Sequence, residues 1–411
     1  MTAVTERRLR LLLISPTDYQ SAVKKGVAPL LADFDEGGFF DRVRIAFPLA
    51  RTSCAVAVSD RVLVEDIGTD WLPLGGRFRW LRRVAAPVHF VRVFRTLISH
   101  VRRDGIDVIR ATDPCFSGTF AWVTARLTGR PFCVSIHADF DKRYELGGAS
   151  TGTTILGSRA LARAVVRFVL RRAAIVMPIR DSLREYAISS GARPDRIAVI
   201  PHGTDLSTFV RPSAIDVAGL FGLPADRQIV SFVGRLAREN YLDDILDATR
   251  QLRAQRTDFV LLILGGGPEE ERLRAAVHAD PALRETVYFG GFRSRDIVAA
   301  VRQASAASLC LMGGFSLIEA CAAASPVIAY DVEWHGELVR DGETGFLVGE
   351  HDVKQLAATI GRLLNDRRYG AALGEAARSL ALQRHDLELT RETKRRCYLA
   401  VVGDNARAAH A

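Results

Sequence analysis

The sequence predicts an α/β chain of two doubly wound, parallel-sheet domains, and three observations carry that expectation. The chain is long, short apolar runs alternate with amphipathic stretches, and the alternation restarts halfway along. At 411 residues it exceeds what one hydrophobic core ordinarily serves, because domains settle at roughly 100 to 200 residues. A hydrophobic fraction of 48% with 25% charged residues and 15 prolines is the composition of a folded protein rather than a disordered one.

The first series of strand-like runs is Leu9–Ile14, Val43–Phe47, Asp107–Arg110, Phe132–Ile136, Ala174–Pro178 and Ile197–Ile200. Most are continuous rather than alternating, as in strands buried on both faces. A second series follows Pro201: Ile229–Val233, Phe259–Leu264, Val287–Phe289, Ala307–Leu311, Pro326–Tyr330 and Phe346–Val348. Between strands, Tyr241–Gln255 sets Leu242, Ile245, Leu246, Thr249 and Leu252 on one helical stripe. Val353–Leu364 does the same with Leu356, Ile360, Leu363 and Leu364. Two Rossmann-like sheets follow from this alternation.

Glycines and prolines between His202 and Arg227 mark the crossing. The predicted division is a first domain over 1–205, a second over 206–385, and a final helix over 386–411 that returns to the first. Ligands of doubly wound sheets bind outside the carboxyl ends of the strands. Two such sheets facing one another are expected to form a cleft there.

The net charge of +9 is concentrated. Arg77 to Arg103 holds eight arginines and no acid, among Phe78, Trp80, Phe90 and Phe94; Arg159 to Arg172 adds five more around Leu161, Val165, Val166 and Phe168. Basic segments with aromatics suit an anionic membrane surface, and equally a solvated helix face beside ordinary core. No nucleic-acid-binding motif accompanies the charge, so nucleic acid is not the expected partner. The six cysteines lack C-x-x-C or zinc-like spacing and read as reduced residues of a cytoplasmic protein. The apolar run after Arg7 is too short for a secretory signal, and no 18-residue uncharged apolar run offers a membrane span. Any membrane association is expected to be peripheral, on the inner face.

Three segments after second-half strands carry the chemistry. Gly265-Gly266-Gly267-Pro268-Glu269 follows Phe259–Leu264; its glycines permit either a close ligand or an ordinary tight turn. Met312-Gly313-Gly314-Phe315-Ser316-Leu317-Ile318-Glu319-Ala320 runs into a helix expected over Ala320–Ala324. Free amides approached through glycines at a helix start suit phosphate oxygens. Glu319 there fits an acceptor for vicinal hydroxyls, or a simple complement to the helix dipole. Gly234-Arg235 follows Ile229–Val233, where the guanidinium suits a diphosphate or a surface salt bridge.

Together, Ser231 to Leu236, Leu264 to Glu269, Val287 to Phe292, Gly314 to Ala320, Pro326 to Ala329 and Leu338 to Val348 resemble, in order and spacing over about 150 residues, the C-terminal domain of retaining family 4 glycosyltransferases (glycosyl transferases group 1, GT-B fold). The resemblance implies a nucleotide-sugar donor in the second domain and an acceptor-side first domain. It implies Arg235 on the diphosphate, amides around Ser316 and Leu317 on phosphate, Glu319 on the ribose and Phe292 near the base, with Gly234, Gly265, Gly267, Gly314 and Phe315 in the same loops. Two positions depart from the family pattern. Leu311 and Met312 stand where an acid usually contacts the donor sugar, and Asn240 stands where a lysine usually lies.

In the first half, Phe132–Ile136 ends in His137-Ala138-Asp139-Phe140-Asp141, placing a titratable histidine and two acids at a carboxyl strand end. Family members resemble this with a histidine near the donor sugar, so His137 is expected to orient the sugar or stabilise charge, with Asp139 fixing its tautomer or touching the acceptor. Asp113, before a helix, fits a cap or an acceptor contact. The resemblance implies no metal or other cofactor. It implies sugar transfer to a saccharide or lipid-linked acceptor in bacterial surface polysaccharide or glycolipid assembly. The competing expectation is a catalytically silent nucleotide-sugar-binding or scaffold protein of the same fold.

Overall fold

The computed structural model describes residues 8–24, 28–70, 81–139 and 157–410, with the side chains of 81–86, 406 and 408–410 excepted. Arg77, Phe78, Arg79, Trp80, Phe140 and Asp141 lie outside the described residues, as do the side chains of Arg82 and Arg83. The chain divides into two compact units, Met1–Pro201 with Arg391–Ala411, and His202–Thr390. The divisions fall a few residues from the predicted 205 and 385.

In the first unit, the strands are β1 (Leu9–Ile14), β2 (Phe40–Phe47), β3 (Cys54–Ala57), β4 (Val62–Asp66), β5 (Val108–Ala111), β6 (Phe132–Ile136) and β7 (Ile175–Pro178). They form one sheet in the order β3-β4-β2-β1-β5-β6-β7. All pairings are parallel except β3 with β4. The β3–β4 hairpin was not legible as two strands, because β3 is a short edge strand whose residues are half or fully exposed.

Ile197–Ile200, expected as a strand, is reduced to a single parallel bridge from Ile197 to Val176. The amides of Ala198 and Ile200 bond the carbonyls of Val176 and Pro178 at 3.0 and 2.9 Å, but Pro178 has no N–H to return the ladder bond.

The sheet of the second unit contains β8 (Gln228–Val233), β9 (Phe259–Leu264), β10 (Val287–Gly291), β11 (Ser305–Leu309), β12 (Val327–Tyr330) and β13 (Phe346–Val348). All are parallel, in the order β10-β9-β8-β11-β12-β13. This is a doubly wound order with its reversal between β8 and β11. Burial explains the run composition: every residue of β9 and β12 is buried, because helices cover both faces. One face packs Leu242, Ile245, Leu252 and Ile360 on the sheet, and the other Val298, Val301, Leu317 and Ile318.

Two boundaries move relative to expectation, and both affect the site. β11 ends at Leu309 rather than Leu311, and the next helix spans Phe315–Ala322 rather than starting at Ala320. Its N-cap is Gly314, which offers no capping side chain, so the usual Ser, Thr or Asp start signal is missing.

The last helix spans Leu387–His410. From Arg391 onward it belongs to the first unit, where Tyr398 is fully buried, 5.0 Å edge-to-face from Phe40. Tyr398 also accepts a bond from Arg110 Nη1 at 3.0 Å. Lys394 donates to both carboxylate oxygens of buried Glu36 at 3.1 Å.

Candidate functional site

The reversal between β8 and β11 is where a doubly wound sheet opens to a ligand, and three predicted segments meet there. Gly234 and Arg235 leave β8. The Arg235 side chain is 69% exposed, with Glu239 Oε1 3.9 Å from its guanidinium. An exposed contact of that length is worth little, so the cation is available to a ligand.

Asn240 donates to the Arg235 carbonyl at 2.6 Å. Where the family pattern has a lysine, this side chain therefore ties down the turn that carries Arg235, and it brings no charge.

The glycines after β9 serve the backbone first. Gly265 has φ +132°, and a Cβ on it would lie 1.9 Å from the Gly234 carbonyl; one on Gly267 would lie 2.3 Å from that of Leu236. The two loops interlock through Leu236 N–H to Gly266 O and Glu269 N–H to Leu236 O, each 3.0 Å. Side-chain-free backbone is needed here for loop-on-loop packing. That packing holds Gly234 and Arg235 in place.

Across the reversal, the Phe315–Ala322 helix begins with unclaimed donors. The amides of Gly314, Phe315 and Ser316 have no hydrogen-bond partner among the described residues, and that of Leu317 makes a 3.2 Å bond to Gly314 O. A Cβ on Gly314 would meet nothing within 4 Å, so the cap position itself is open. Helix dipole and free N–H groups together favour an anion at this point.

Ser316 contributes its backbone only, because its hydroxyl is committed. It donates to Val233 O at 2.6 Å and accepts from Arg302 Nη2 at 2.6 Å. Leu317 is fully buried and anchors the helix to the core.

Glu319 sits in the second turn, its side chain 18% exposed and 3.3 Å from Arg295 Nη1. Burial pushes its carboxyl above the ordinary glutamate range, opposed by the charges of Arg295 and Arg302. Arg295 also donates to Asp205 O at 2.7 Å and stacks over Phe209 at 5.0 Å. Phe292 and Phe315 are 87% and 53% exposed, unusual for phenylalanine and suited to covering a planar group.

Leu311, at the missing acid's position, is fully buried in the core, while Met312 is partly exposed.

Sequence reasoning missed Arg295, Arg302 and His335. The His335 ring is buried, with Nδ1 2.8 Å from Tyr330 O and Nε2 accepting the Gly313 N–H at 3.1 Å. It thereby fixes the approach to Gly314. Arg295 and Arg302 lie on the Arg295–Ala304 helix and His335 opens the short helical turn His335–Glu337, and no motif marks them.

In the first unit, His137 and Asp139 follow β6 directly, and both are half-buried. The reversal of that sheet lies one strand away, between β1 and β5. The loops there are closed by their own acids. Asp113 accepts the amides of Cys115, Phe116 and Ser117 at 2.8, 2.9 and 3.1 Å. Asp18 accepts that of Ser21 at 2.7 Å. Asp113 is therefore a helix cap.

A groove of about 960 Å3 in the same unit, lined by Trp122, Arg126, Arg130, Phe132 and Arg172, opens at the amino-terminal ends of β6 and β7, away from these loops. Among the described residues no cluster of three or more His, Cys, Asp or Glu could hold a metal. Among the described residues no helix is long and apolar enough to cross a membrane.

The family profile described as "Glycosyl transferases group 1" matches residues 221–380, and one described as "Glycosyl transferase 4-like domain" matches residues 26–203. The 2-deoxystreptamine glucosyltransferase of Streptomyces kanamyceticus is 32% identical over 254 residues, covering 59% of this chain and 64% of that protein. A D-inositol 3-phosphate glycosyltransferase of Acidothermus cellulolyticus is 34% identical over 188 residues, 43% of this chain and 42% of that protein. In both cases the match spans less than two thirds of the relative.

Among solved structures, Anabaena HepE in complex with UDP superposes with a TM-score of 0.69 at 18% identity, covering 95% of this chain and all of that one. A sucrose-phosphate synthase from Thermosynechococcus elongatus gives 0.66 at 21% identity, covering 97% and 100%.

Two parallel-sheet α/β units, one with an anion-ready helix start at its reversal, place the molecule in the GT-B class of folds. Within that class, the chain belongs to the family 4 glycosyltransferases.

Proposed function

We propose that this protein transfers a sugar, with retention, from a nucleoside-diphosphate sugar to an acceptor hydroxyl. The observation that carries the proposal is the uncapped start of the Phe315–Ala322 helix, tied at the β8–β11 reversal by the Ser316 hydroxyl to Val233 O, two residues before the exposed Arg235. In this reading the amides of Phe315 and Ser316 and the Arg235 guanidinium take the diphosphate, whose negative charge grows as the sugar leaves. Glu319 accepts the ribose hydroxyls and Phe292 covers the base. Leu311 is buried, so contacts to the donor sugar at this point fall to the backbone of Gly313 and Gly314 or to water. His137 orients the sugar or stabilises charge, and Asp139 supports it. Structures of the relative Anabaena HepE with UDP and with UDP-glucose make UDP-sugars the first donors to try.

For the acceptor, surface polysaccharide or glycolipid remains the proposed setting, in line with a relative named for colanic acid biosynthesis. Relatives named for 2-deoxystreptamine and for D-inositol 3-phosphate add cyclitols to the test panel. Peripheral binding to an anionic membrane is supported by the Leu81–Asp104, Phe116–Thr128 and Arg159–Leu170 helices, which pack side by side. They expose Val88, Val91, Leu127, Leu161 and Phe168 among arginines. Their one acid, Asp104, is buried on Arg44. Two of the aromatics expected at that surface, Phe90 and Phe94, instead pack on Phe120 at 5.7 and 5.3 Å.

Hydrolysis and transfer assays with UDP- and GDP-sugars test the enzyme reading. Turnover that falls roughly a hundredfold in His137→Ala with nucleotide affinity near normal is the expected result. Tight nucleotide binding without turnover for any donor and acceptor would favour the silent binding protein, the reading that Asn240 and Leu311 motivate.

A further inference from the structure

We infer that Arg302 is a positioning residue for the donor's diphosphate. It fixes the start of the Phe315–Ala322 helix and supplies, from beneath it, positive charge that Asn240 does not. The inference rests on the reading of that helix start as the phosphate site.

Arg302 lies near the end of the Arg295–Ala304 helix and is the largest fully buried side chain of the described residues. Burying a guanidinium is costly unless its donors and its charge are both met, and here neither is fully met. Nη2 reaches Ser316 Oγ at 2.6 Å and Ser316 O at 3.3 Å, Nη1 has only the weak acceptor Cys310 Sγ at 3.6 Å, and Nε has no partner. Among the described residues no carboxylate forms an ion pair with it. Glu319 feels its charge but is engaged with Arg295.

A buried cation thus sits behind amides that are themselves unclaimed. An anion bound at Phe315 and Ser316 would answer both deficits at once. The positioning part of the role follows from the same contacts. Arg302, the Ser316 hydroxyl and Val233 O form a chain joining the end of β8 to the first turn of the helix after β11. That chain sets the two sides of the phosphate site at a fixed separation before any ligand arrives, which lowers the cost of binding.

The charge of Arg302 is aimed at phosphate, so its removal should be felt in proportion to the phosphates a ligand carries. The test titrates the full chain calorimetrically with uridine, UMP and UDP, and with the guanosine series in parallel, for the wild type, Arg302→Met, Arg302→Lys and Ser316→Ala. Arg302→Met is expected to weaken the diphosphate by roughly tenfold or more while leaving the nucleoside within about twofold. Arg302→Lys should recover part of the loss, and Ser316→Ala should weaken the diphosphate by roughly threefold.

Equal weakening of nucleoside and diphosphate in Arg302→Met would mean a purely structural residue and overturn the inference. Unchanged diphosphate affinity would overturn it as well. If Arg302→Met does not melt cooperatively, Ser316→Ala decides, and an unaltered diphosphate preference in that variant counts against the inference. A wild-type protein that binds no nucleoside diphosphate would defeat the donor-site reading itself, a result distinct from binding that ignores Arg302.

Discussion

Each unit presents a helix start at the carboxyl end of its reversal strand, yet the two starts are furnished oppositely. In the first unit, the start after β5 is filled by Asp113, which accepts three amides and is buried. Burial raises its carboxyl above the usual aspartate range, and those amide bonds work against the rise. In the second unit, the start after β11 has Gly314 as its cap, open space above it, and an arginine behind it. Sheet topology offers a ligand position in both places, and one side chain at the cap decides which is free for an anion. The proposed donor position in the second unit therefore rests on chemistry that the shared fold alone does not supply.

The comparison breaks most sharply if the second start is closed as the first is. Gly314→Asp places a carboxylate over the free amides, and a Cβ there meets nothing within 4 Å. Diphosphate affinity is expected to fall by roughly a hundredfold or more, through occupied donors and charge repulsion, as read by calorimetry. Removing Glu319 comes next. Glu319→Ala should cost about 2 kcal/mol of nucleotide affinity, the scale of hydrogen bonds to a charged group.

The same residue predicts a pH dependence. Because burial raises its pKa, Glu319 takes up a proton on acidification sooner than an ordinary glutamate. Nucleotide affinity should fall as pH drops through that raised pKa, and Glu319→Gln should flatten the profile.

Opening the first start is the converse experiment. Asp113→Ala leaves buried amides unpaired and should cost about 1–3 kcal/mol of stability in a denaturant melt, with nucleotide affinity unmoved. The smallest effect belongs to Phe292→Ala. The ring is 87% exposed, so stability should hold while base stacking is lost, a change of about 1 kcal/mol in affinity.

Much of this was legible in the sequence, for identifiable reasons. Strands buried on both faces read as continuous apolar runs, so β1, β6, β9 and β13 match their predicted ends residue for residue. β3 and β4 were missed because β3 is a four-residue strand left half or fully exposed and β4 alternates buried with half-buried residues. Pro178 interrupted a ladder that composition alone suggested at Ile197–Ile200. Of the site, the glycine turns and Glu319 could be located by spacing, but their partners could not. Arg302 and Arg295 sit on a helix whose stripe reads as ordinary core and surface, and their roles appear only when the Phe315–Ala322 helix is laid against them. The glycines after β9 are similar in kind: in sequence they permit a close ligand or an ordinary tight turn, and in the structure the approaching group is the β8 loop.

The donor's diphosphate is proposed to rest on the amides of Phe315 and Ser316 and on the Arg235 guanidinium. A crystal structure with a nucleoside diphosphate bound tests it most directly. The predicted result is phosphate oxygens at roughly 2.7–3.2 Å from those amides and from the Arg235 guanidinium, with a ribose hydroxyl on Glu319. A nucleotide seated elsewhere, with the Phe315 and Ser316 amides still unclaimed and Glu319 touching only Arg295, would contradict it.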